Sequence, residues 1–264
     1  MSKSKPHYDP EKRLQPLNME GAHFNVTDQK KFKLAIKLLK ESLFDKGASL
    51  FASDNLITWN KNLSFLREDR YVKFLKDPDF NLIEKSIVWR TYILLYFAKM
   101  ALDVEGDFLE CGCHRGSTAF QVVTDFGLMK KGKRYWLYDL FEVNDREKKA
   151  QYSDHLNSNI YEETVARFSK FPNVEVIKGS VPDSFIKGFP ESISFCHIDM
   201  NHPVPEAEAL KVVLPKLNKG GIIIFDDYGW WGYSAQKAAI DPIVQSFGEE
   251  ILELPTGQAL LIKS

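Results

Sequence analysis

The sequence predicts an α/β fold built on a doubly wound, mainly parallel sheet, and three observations indicate this class. From Gly106 onward, short apolar runs bounded by Gly, Asp and Pro alternate with stretches of helical pattern. Parallel strands need helical crossovers between them, which this alternation supplies. The last segment, EEILELPTGQALLIKS, has two strand-like runs around Thr256-Gly257, which is typical of an antiparallel hairpin.

The N-terminal part has a helical rather than an alternating pattern. After Asp28 apolar residues recur at helical spacing, with Asp28 as the expected N-cap and Gly47 as the expected stop. Residues 49–69 show no clean period and predict a loop with short helical turns. A second helix, 84–102, is expected after the break at Asp77-Pro78. This part of the chain therefore predicts a helical lid.

The remaining segments supply the sheet and its crossover helices. Together with the hairpin they predict a Rossmann-like seven-stranded sheet with an antiparallel C-terminal hairpin. In such sheets ligands bind at the carboxyl ends of the strands. The expected strands are 107–111, 134–138, 174–178, 193–198 and 221–225, and the expected helices are 117–126, 161–168 and 205–217.

Composition excludes several classes of function. The formal net charge is −1 at pH 7, whereas a surface that tracks nucleic-acid phosphates needs a basic excess. The apolar run 87–102 contains Arg90 and Lys99 and is shorter than the ~20 residues of a membrane span. The opening MSKSKPHYDPEKR lacks the apolar region of a signal peptide. Three cysteines, two of them in a CxC, fit free thiols in a reducing compartment. We therefore expect a cytoplasmic protein without nucleic-acid or membrane partners.

The first strand is followed by a glycine turn, Glu110-Cys-Gly-Cys-His-Arg-Gly116, and by Ser117, which opens a helix. Gly112 and Gly116 let the backbone approach a ligand closely, and the helix N-terminus offers free N–H groups. Phosphate and dinucleotide binders use similar turns. The ExGxxxG spacing and the absence of a following GK[ST] disfavour a P-loop. A plain tight turn is the alternative interpretation.

Polar residues after the second and third strands also fit a nucleoside. Asp139 follows the second strand, where a carboxylate can accept from both hydroxyls of a ribose. A helix N-cap is the alternative for Asp139. Gly179 and Ser180 follow the third strand and can bring backbone groups against an adenine edge.

Three aspartates follow the fourth and fifth strands. Asp199 comes after HI, and Asp226 and Asp227 come directly after the unbroken run GIIIF. Adjacent strands would bring these carboxylates together, which is costly unless a positive charge lies between them. With no basic partner evident nearby, the pattern predicts a hard-cation site for Mg²⁺, Mn²⁺ or Ca²⁺. An N-cap Asp beside a solvated Asp is the alternative.

These motifs together carry a family resemblance. GDFLECGCHRGST resembles the first cofactor motif of class I methyltransferases. With LYDLFE, VIKGSVPDSF, HIDMN, EALKVVLPKLNKGG and IIIFDDYG it resembles the macrocin O-methyltransferase (TylF/MycF-like) family over about 103–236. That family methylates sugar hydroxyls with S-adenosylmethionine and Mg²⁺. The resemblance therefore implies both cofactors, or another hard divalent cation, and a small polyhydroxyl substrate.

The resemblance also implies roles for individual residues. Asn201 departs from the family, where a second Asp two residues after the first metal ligand is a candidate general base; Asn cannot take a proton. His155 lies where the family has a proposed catalytic histidine, with His197 and His202 as alternatives by residue type. The implied cofactor contacts are Glu110, Gly112, Gly116, Ser117, Asp139, Gly179 and Ser180, the metal ligands are Asp199, Asp226 and Asp227, and the catalytic residues are His155 and Asp199.

The sequence thus predicts two parts, an N-terminal arm with lid and cover helix in 1–102 and a cofactor-binding core in 103–264. The expected activity is metal-assisted O-methylation of a sugar or glycosylated natural product. A catechol-like substrate, or a catalytically impaired binder of S-adenosylmethionine, is the alternative. The apolar run near residue 90, with Trp230 and Trp231, fits either an oligomer interface or a helix covering the sheet.

Overall fold

The computed structural model describes residues 16–43, 49–142 and 159–264. The expected arm at the N-terminus, Gly47 and His155 lie outside these residues. The chain divides into two compact units, Met1–Val88 and Trp89–Ser264. Within the described residues, no helix combines the length and apolarity that crossing a membrane requires. The first unit ends before the expected boundary at 102/103, because most of the expected cover helix belongs to the second unit; the division into lid and core stays a prediction.

The first unit is a small three-stranded sheet with helices. Asp28 caps the first helix as expected, since its side chain accepts a hydrogen bond from Lys31 N at 3.0 Å. Ile36 of this helix packs with Leu50 and Ala52 of the sheet. The sheet order is β1-β2-β3, with β1 and β2 parallel and β2 and β3 antiparallel. Its elements are β1 Asn18–Glu20, α1 Gln29–Ser42, β2 Leu50–Ser53, β3 Leu56–Trp59, α2 Asp69–Lys76 and α3 Leu82–Ser86.

The loop expected at 49–69 is wrong in its first half, which is a β-hairpin, whereas the expected short helical turn is present at Ser64–Arg67. Ser53 pairs with Leu56, so the connection has two residues, Asp54 and Asn55. Both have positive φ, 55° and 54°, as a type I′ turn requires and as Asp and Asn tolerate. The pattern LFAS-DN-LITW is typical of such a hairpin. It was not recognised because β2 is buried throughout, so its sequence shows no alternation of apolar and polar residues.

The second unit contains the seven-stranded sheet that the sequence predicts. The sheet order is β6-β5-β4-β7-β8-β10-β9, parallel except for β10, which is antiparallel to both its neighbours. The α/β fold class and the C-terminal hairpin are therefore confirmed. The elements are α4 Val88–Ala101, β4 Asp107–Cys111, α5 Ser117–Phe126, β5 Tyr135–Asp139, α6 Ile160–Phe168, β6 Val174–Lys178, β7 Ile193–Ile198, α7 Pro203–Lys216, β8 Leu217–Phe225, α8 Ser234–Ser246, β9 Leu252–Glu253 and β10 Ala259–Ile262.

Two helices differ from expectation. The single helix expected at 84–102 is two helices, because α3 ends at Ser86, the ψ of 19° at Ile87 leaves the helical region, and α4 begins at Val88. Helix α8 was not predicted, since Pro242 interrupts an otherwise weak apolar pattern.

The strand order brings the expected site to one edge of the sheet. The order reverses between β4 and β7, which is the switch point where ligands bind in such sheets. Cys111 pairs with Ile198, and Ile198 pairs with Phe225, so the residues that follow these three strands emerge side by side. The glycine turn and the three aspartates therefore lie at the same edge of the sheet.

Candidate active site

The glycine turn and the loop of Asp199 pack backbone against backbone. Asp199 N donates to Cys111 O at 2.8 Å, and Gly112 N donates to Tyr138 O at 2.8 Å. Gly112 has a φ of 91°, and a Cβ on it would overlap the carbonyl oxygen of Asp199. Only glycine fits this position. The turn after β4 and the start of the acidic loop after β7 therefore form one unit.

Gly116 ends the turn and starts helix α5. Its φ is 66°, and a Cβ on it would lie 2.5 Å from the ring of Phe168 in α6. Gly116 is the N-cap residue and brings no side chain to the helix, so Ser117 begins α5 without a cap from it. The helix N-terminus can therefore present N–H groups to a polar ligand.

Asp139 joins the glycine turn to the end of β5. Its Oδ2 accepts from His114 N at 2.7 Å, and its Oδ1 accepts from Phe141 N at 2.6 Å. A carboxylate oxygen can accept more than one hydrogen bond, so the side chain still has capacity for a diol. Gly179 N donates to the carbonyl of Asp139 at 2.9 Å, which brings the turn after β6 alongside. Ser180 Oγ donates to Asp183 Oδ2 at 3.1 Å.

Glu110 is buried and holds two aromatic side chains. Tyr135 OH donates to Glu110 Oε2 at 3.0 Å, and His197 Nδ1 lies 3.0 Å from Glu110 Oε1. Burial and the Glu110 charge raise the pKa of Tyr135 well above its usual value, so the phenol stays a donor. Both carboxylate oxygens of Glu110 thus have a partner within the core.

Asp226 is the best compensated of the three aspartates. Arg90 Nη1 donates to its Oδ2, Gln258 Nε2 donates to its Oδ1 at 3.0 Å, and His197 Nε2 lies 3.5 Å from Oδ1. Burial alone would raise the pKa of Asp226, but the charge of Arg90 and the contacts with His197 and Gln258 hold it below its usual value. Asp227 shares Arg90, with Oδ1 3.8 Å from Nη1.

Asp199 has the opposite electrostatic environment. Burial and the negative charges of Asp226 and Asp227 raise its pKa well above its usual value, against the smaller effects of His197 and Arg90. Its Oδ1 accepts from Asn201 Nδ2 at 3.3 Å. Within the described residues, ligand atoms of His197, Asp199 and Asp226 all lie within 4.8 Å of one another. A cation at this point would favour the charged form of Asp199.

The expectation that the aspartates have no basic partner is wrong, because Arg90 lies beside them. The aspartates do have a basic partner, and it comes from helix α4, far away in the sequence. Arg90 also lies against Trp230, with Cζ 5.3 Å from a ring centroid. The available signal was an arginine within the apolar run IVWRTYILLYF, since a buried guanidinium needs an acidic partner.

Glu206 is a second buried group that sequence reasoning missed. Its Oε1 accepts from Met200 N at 3.1 Å and from Gln236 Nε2 at 2.6 Å. Burial raises the pKa of Glu206 to about 8, and the charge of Asp227 adds to this. Glu206 therefore ties the loop after β7 to helices α7 and α8. It lies on the buried face of α7, four residues before Leu210 and seven before Val213, and that helical spacing was the available signal.

The two remaining histidine candidates are His202 and His155. His202 is the N-cap of α7, where its Nδ1 accepts from Val204 N at 3.3 Å. His155 lies outside the described residues. The structure brings the other expected residues to the carboxyl edge of the sheet, namely Glu110, Gly112, Gly116, Ser117, Asp139, Gly179, Ser180, Asp199, Asp226 and Asp227.

Comparison with known proteins agrees with this geometry. A family model described as a methyltransferase domain matches residues 109–228. None of the curated proteins matches the sequence significantly. The O-methyltransferase NovP is similar in structure, with a TM-score of 0.54 and 18% identity, over 69% of this chain and 80% of that chain. So is apo CalS11, a TDP-rhamnose 3′-O-methyltransferase of calicheamicin biosynthesis, with a TM-score of 0.53 and 17% identity, over 92% and 96%. Residues 109–228 therefore match a methyltransferase domain, and the fold of the chain is similar to the fold of these O-methyltransferases.

Proposed function

We propose that the chain is a metal-assisted O-methyltransferase that transfers the methyl group of S-adenosylmethionine to a hydroxyl of a sugar or glycosylated natural product. The contact between Gly112 and the backbone of Asp199 carries this proposal. Because the glycine turn and Asp199 are in direct contact, a methyl donor bound at the turn would lie beside a hydroxyl bound at the aspartates. Alignment of donor and nucleophile is a large part of what such a transfer needs.

The cofactor would bind along the carboxyl ends of β4, β5 and β6. Glu110, Gly112, Gly116 and Ser117 would form the first part of its site, where the turn meets the start of α5. Asp139 would hold the ribose through the acceptor capacity that its two backbone contacts leave. Its half-buried position next to the glycine turn supports this role. The turn at Gly179 and Ser180 would bound the adenine.

Asp199, Asp226 and Asp227 would hold the divalent cation. Arg90 compensates part of the negative charge of these carboxylates, through Asp226 and Asp227, and a divalent ion would compensate the rest. Carboxylate oxygens are the ligands that Mg²⁺ and Mn²⁺ prefer. When bound, the ion would lower the pKa of a coordinated hydroxyl, as it does for water. Around Asp199 the effects of burial and of the Asp226 and Asp227 charges outweigh those of His197 and Arg90, which supports a cation at this point.

The general base is not supplied by the position two residues after the first metal ligand. Asn201 hydrogen-bonds Asp199 and cannot accept a proton from a hydroxyl. We therefore assign the proton to His155, on the family resemblance alone, and leave Asp199 to position the reacting hydroxyl. A chain without a working base would instead bind S-adenosylmethionine without turning it over.

A sugar hydroxyl is the substrate class that we favour. The resemblance to the macrocin O-methyltransferase family supports it, and the structurally similar CalS11 is named for methylation of TDP-rhamnose. A catechol-like diol, which could also chelate the ion through two oxygens, is the second candidate.

The proposal is tested by cofactor binding and methyl transfer on the same protein. Calorimetry with S-adenosylmethionine should give binding, and labelled methyl should appear on a nucleotide-linked deoxysugar or a glycoside, with release of S-adenosylhomocysteine. Transfer to catechol alone would shift the substrate class. Cofactor binding without transfer to any hydroxyl would favour the non-catalytic alternative. Absence of cofactor binding would contradict the proposal.

A further inference from the structure

We propose that the cation site includes a nitrogen ligand, His197 Nε2, beside the carboxylates of Asp199 and Asp226. The inference rests on the metal-assisted function proposed above and specifies its chemistry. It makes the centre a mixed nitrogen and oxygen site rather than a purely carboxylate one.

His197 directs a buried nitrogen at the aspartates. It lies on β7 two residues before Asp199, which directly follows the strand, and the ligand atoms of the two side chains lie within 4.8 Å of each other. The residue is 3% exposed, and its Nε2 has no hydrogen-bond partner among the described residues. The nearest acidic atom, Asp226 Oδ1, is 3.5 Å away. A buried polar nitrogen without a partner is costly, and a bound ion would provide one.

Glu110 fixes which nitrogen of His197 faces the site. Its Oε1 lies 3.0 Å from His197 Nδ1, and its Oε2 accepts from Tyr135 OH at 3.0 Å. A carboxylate can only accept, so Nδ1 carries a proton toward Glu110, and a bound ion would take the place of any proton that Nε2 shares with Asp226. A carboxylate behind a histidine is the usual support for a metal-binding imidazole, because it sets the tautomer and raises the basicity of the ligand.

The spacing suits one ion. The ligand atoms of His197, Asp199 and Asp226 lie within 4.8 Å of one another. At bond lengths of about 2.1 Å, adjacent ligands on one ion are about 3.0 Å apart and opposite ligands about 4.2 Å apart, so a pair at the 4.8 Å limit would close by about 1–2 Å when the ion binds. Arg90 contacts Oδ2 of Asp226, whereas Oδ1 is the oxygen nearer His197. The guanidinium and the ion can therefore use different oxygens of the same carboxylate.

A nitrogen ligand changes which metal is preferred. Imidazole favours first-row transition ions, whereas carboxylate and water sites suit Mg²⁺. We therefore expect Mn²⁺, and more strongly Co²⁺, to compete well with Mg²⁺ for this chain. Loss of the imidazole should weaken that preference.

The test uses the metal-stripped full chain and Mn²⁺ alone as the probe. Pulsed electron paramagnetic resonance of the Mn²⁺ complex should show hyperfine coupling to a directly bound nitrogen. The coupling should disappear in His197→Gln, whose dissociation constant for Mn²⁺ should rise at least about tenfold. His202→Gln, the same change at the N-cap of α7, should keep both the coupling and the affinity.

Each outcome separates this inference from the function on which it rests. Mn²⁺ binding without nitrogen coupling would overturn the nitrogen ligand and leave a carboxylate site for metal-assisted transfer. No Mn²⁺ binding by a chain that still binds S-adenosylmethionine would overturn both. Binding of S-adenosylmethionine by His197→Gln reports that the variant folds. If it does not fold, the wild-type spectrum and Glu110→Gln, which should weaken Mn²⁺ binding about tenfold or more, decide the question.

Discussion

Arg90 and Asp226 form a buried ion pair at the edge of the sheet where the three aspartates meet. Their side chains are 8% and 7% exposed, and Asp227 lies 3.8 Å from the same guanidinium nitrogen. The pair holds one carboxylate of the site charged. The pKa of Asp199 beside it is raised, because burial and the charges of Asp226 and Asp227 outweigh the effects of His197 and Arg90.

Arg90→Met should destabilise the protein by about 3–5 kcal/mol, because removing one partner leaves Asp226 buried without its main positive charge. Urea unfolding of the metal-free protein measures the change. Lys99→Met, on the exposed end of the same helix α4, is the matched control and should change little. Equal stability of the two variants would show that Asp226 does not depend on Arg90.

The stability of the protein should depend on Glu206 between about pH 5 and pH 8. The folded-state pKa of Glu206 is about 8, above its ordinary value of 4.5, so the folded protein keeps a proton that the unfolded chain releases. Stability is therefore lost as the pH rises through this window. Glu206→Gln stays uncharged at every pH. Its free energy of unfolding should therefore exceed that of wild type by up to about 4 kcal/mol at pH 8.

Thermal unfolding from pH 5 to pH 9 tests this dependence on Glu206. The control is Glu208→Gln, an exposed carboxylate on the same helix that pairs with Lys211. Wild type and Glu208→Gln should show parallel curves, and Glu206→Gln should diverge upward with pH. Three parallel curves would mean that Glu206 titrates normally.

Gly112→Ala should disrupt cofactor binding, because its Cβ would overlap the carbonyl oxygen of Asp199 at a φ of 91°. We expect S-adenosylmethionine affinity to fall at least about tenfold, which corresponds to about 1.4 kcal/mol. Gly248→Ala is a matched control, with a φ of 71° and open space around its Cβ position. It shares the backbone strain and should keep wild-type affinity. Equal losses in the two variants would assign the effect to strain alone.

The missing acid at Asn201 can be supplied by substitution. His155→Gln should lower kcat by about 100-fold or more if His155 is the base, with cofactor affinity unchanged. Asn201→Asp in that background should restore part of the rate, since residue 201 lies beside Asp199 and Asp tolerates its φ of 56°. Steady-state kinetics at neutral pH measure both effects. A normal kcat in His155→Gln would exclude His155 as the base.

The sequence predicts the sheet well because each of its inner strands is a short apolar run between Gly, Asp and Pro. Helical spacing after Asp28 likewise predicts α1 and its N-cap. The hairpin at Asp54-Asn55 escapes prediction because β2 is buried on both faces and shows no alternation. Periodicity reports one-sided burial, and it says little where burial is complete.

The positions of residues at strand ends predict which carboxylates lie close together, because parallel strands end at a common edge. They do not predict which groups balance the charge of these carboxylates. Arg90 lies on helix α4, and no sequence motif links this helix to Asp226. Glu110 contacts His197 from the neighbouring strand. Such pairs depend on tertiary packing, so only the unusual presence of a charge in an apolar run hints at them.

Methyl transfer with and without a chelator tests the central claim most directly. Wild type, Asp227→Ala and the control Asp103→Ala, whose side chain is 85% exposed, are assayed for transfer from S-adenosylmethionine with Mg²⁺ or Mn²⁺ and then with chelator. We predict that wild type and Asp103→Ala lose turnover only in chelator, and that Asp227→Ala lacks it throughout while binding S-adenosylmethionine normally. Full activity of Asp227→Ala in chelator would contradict metal assistance at these aspartates.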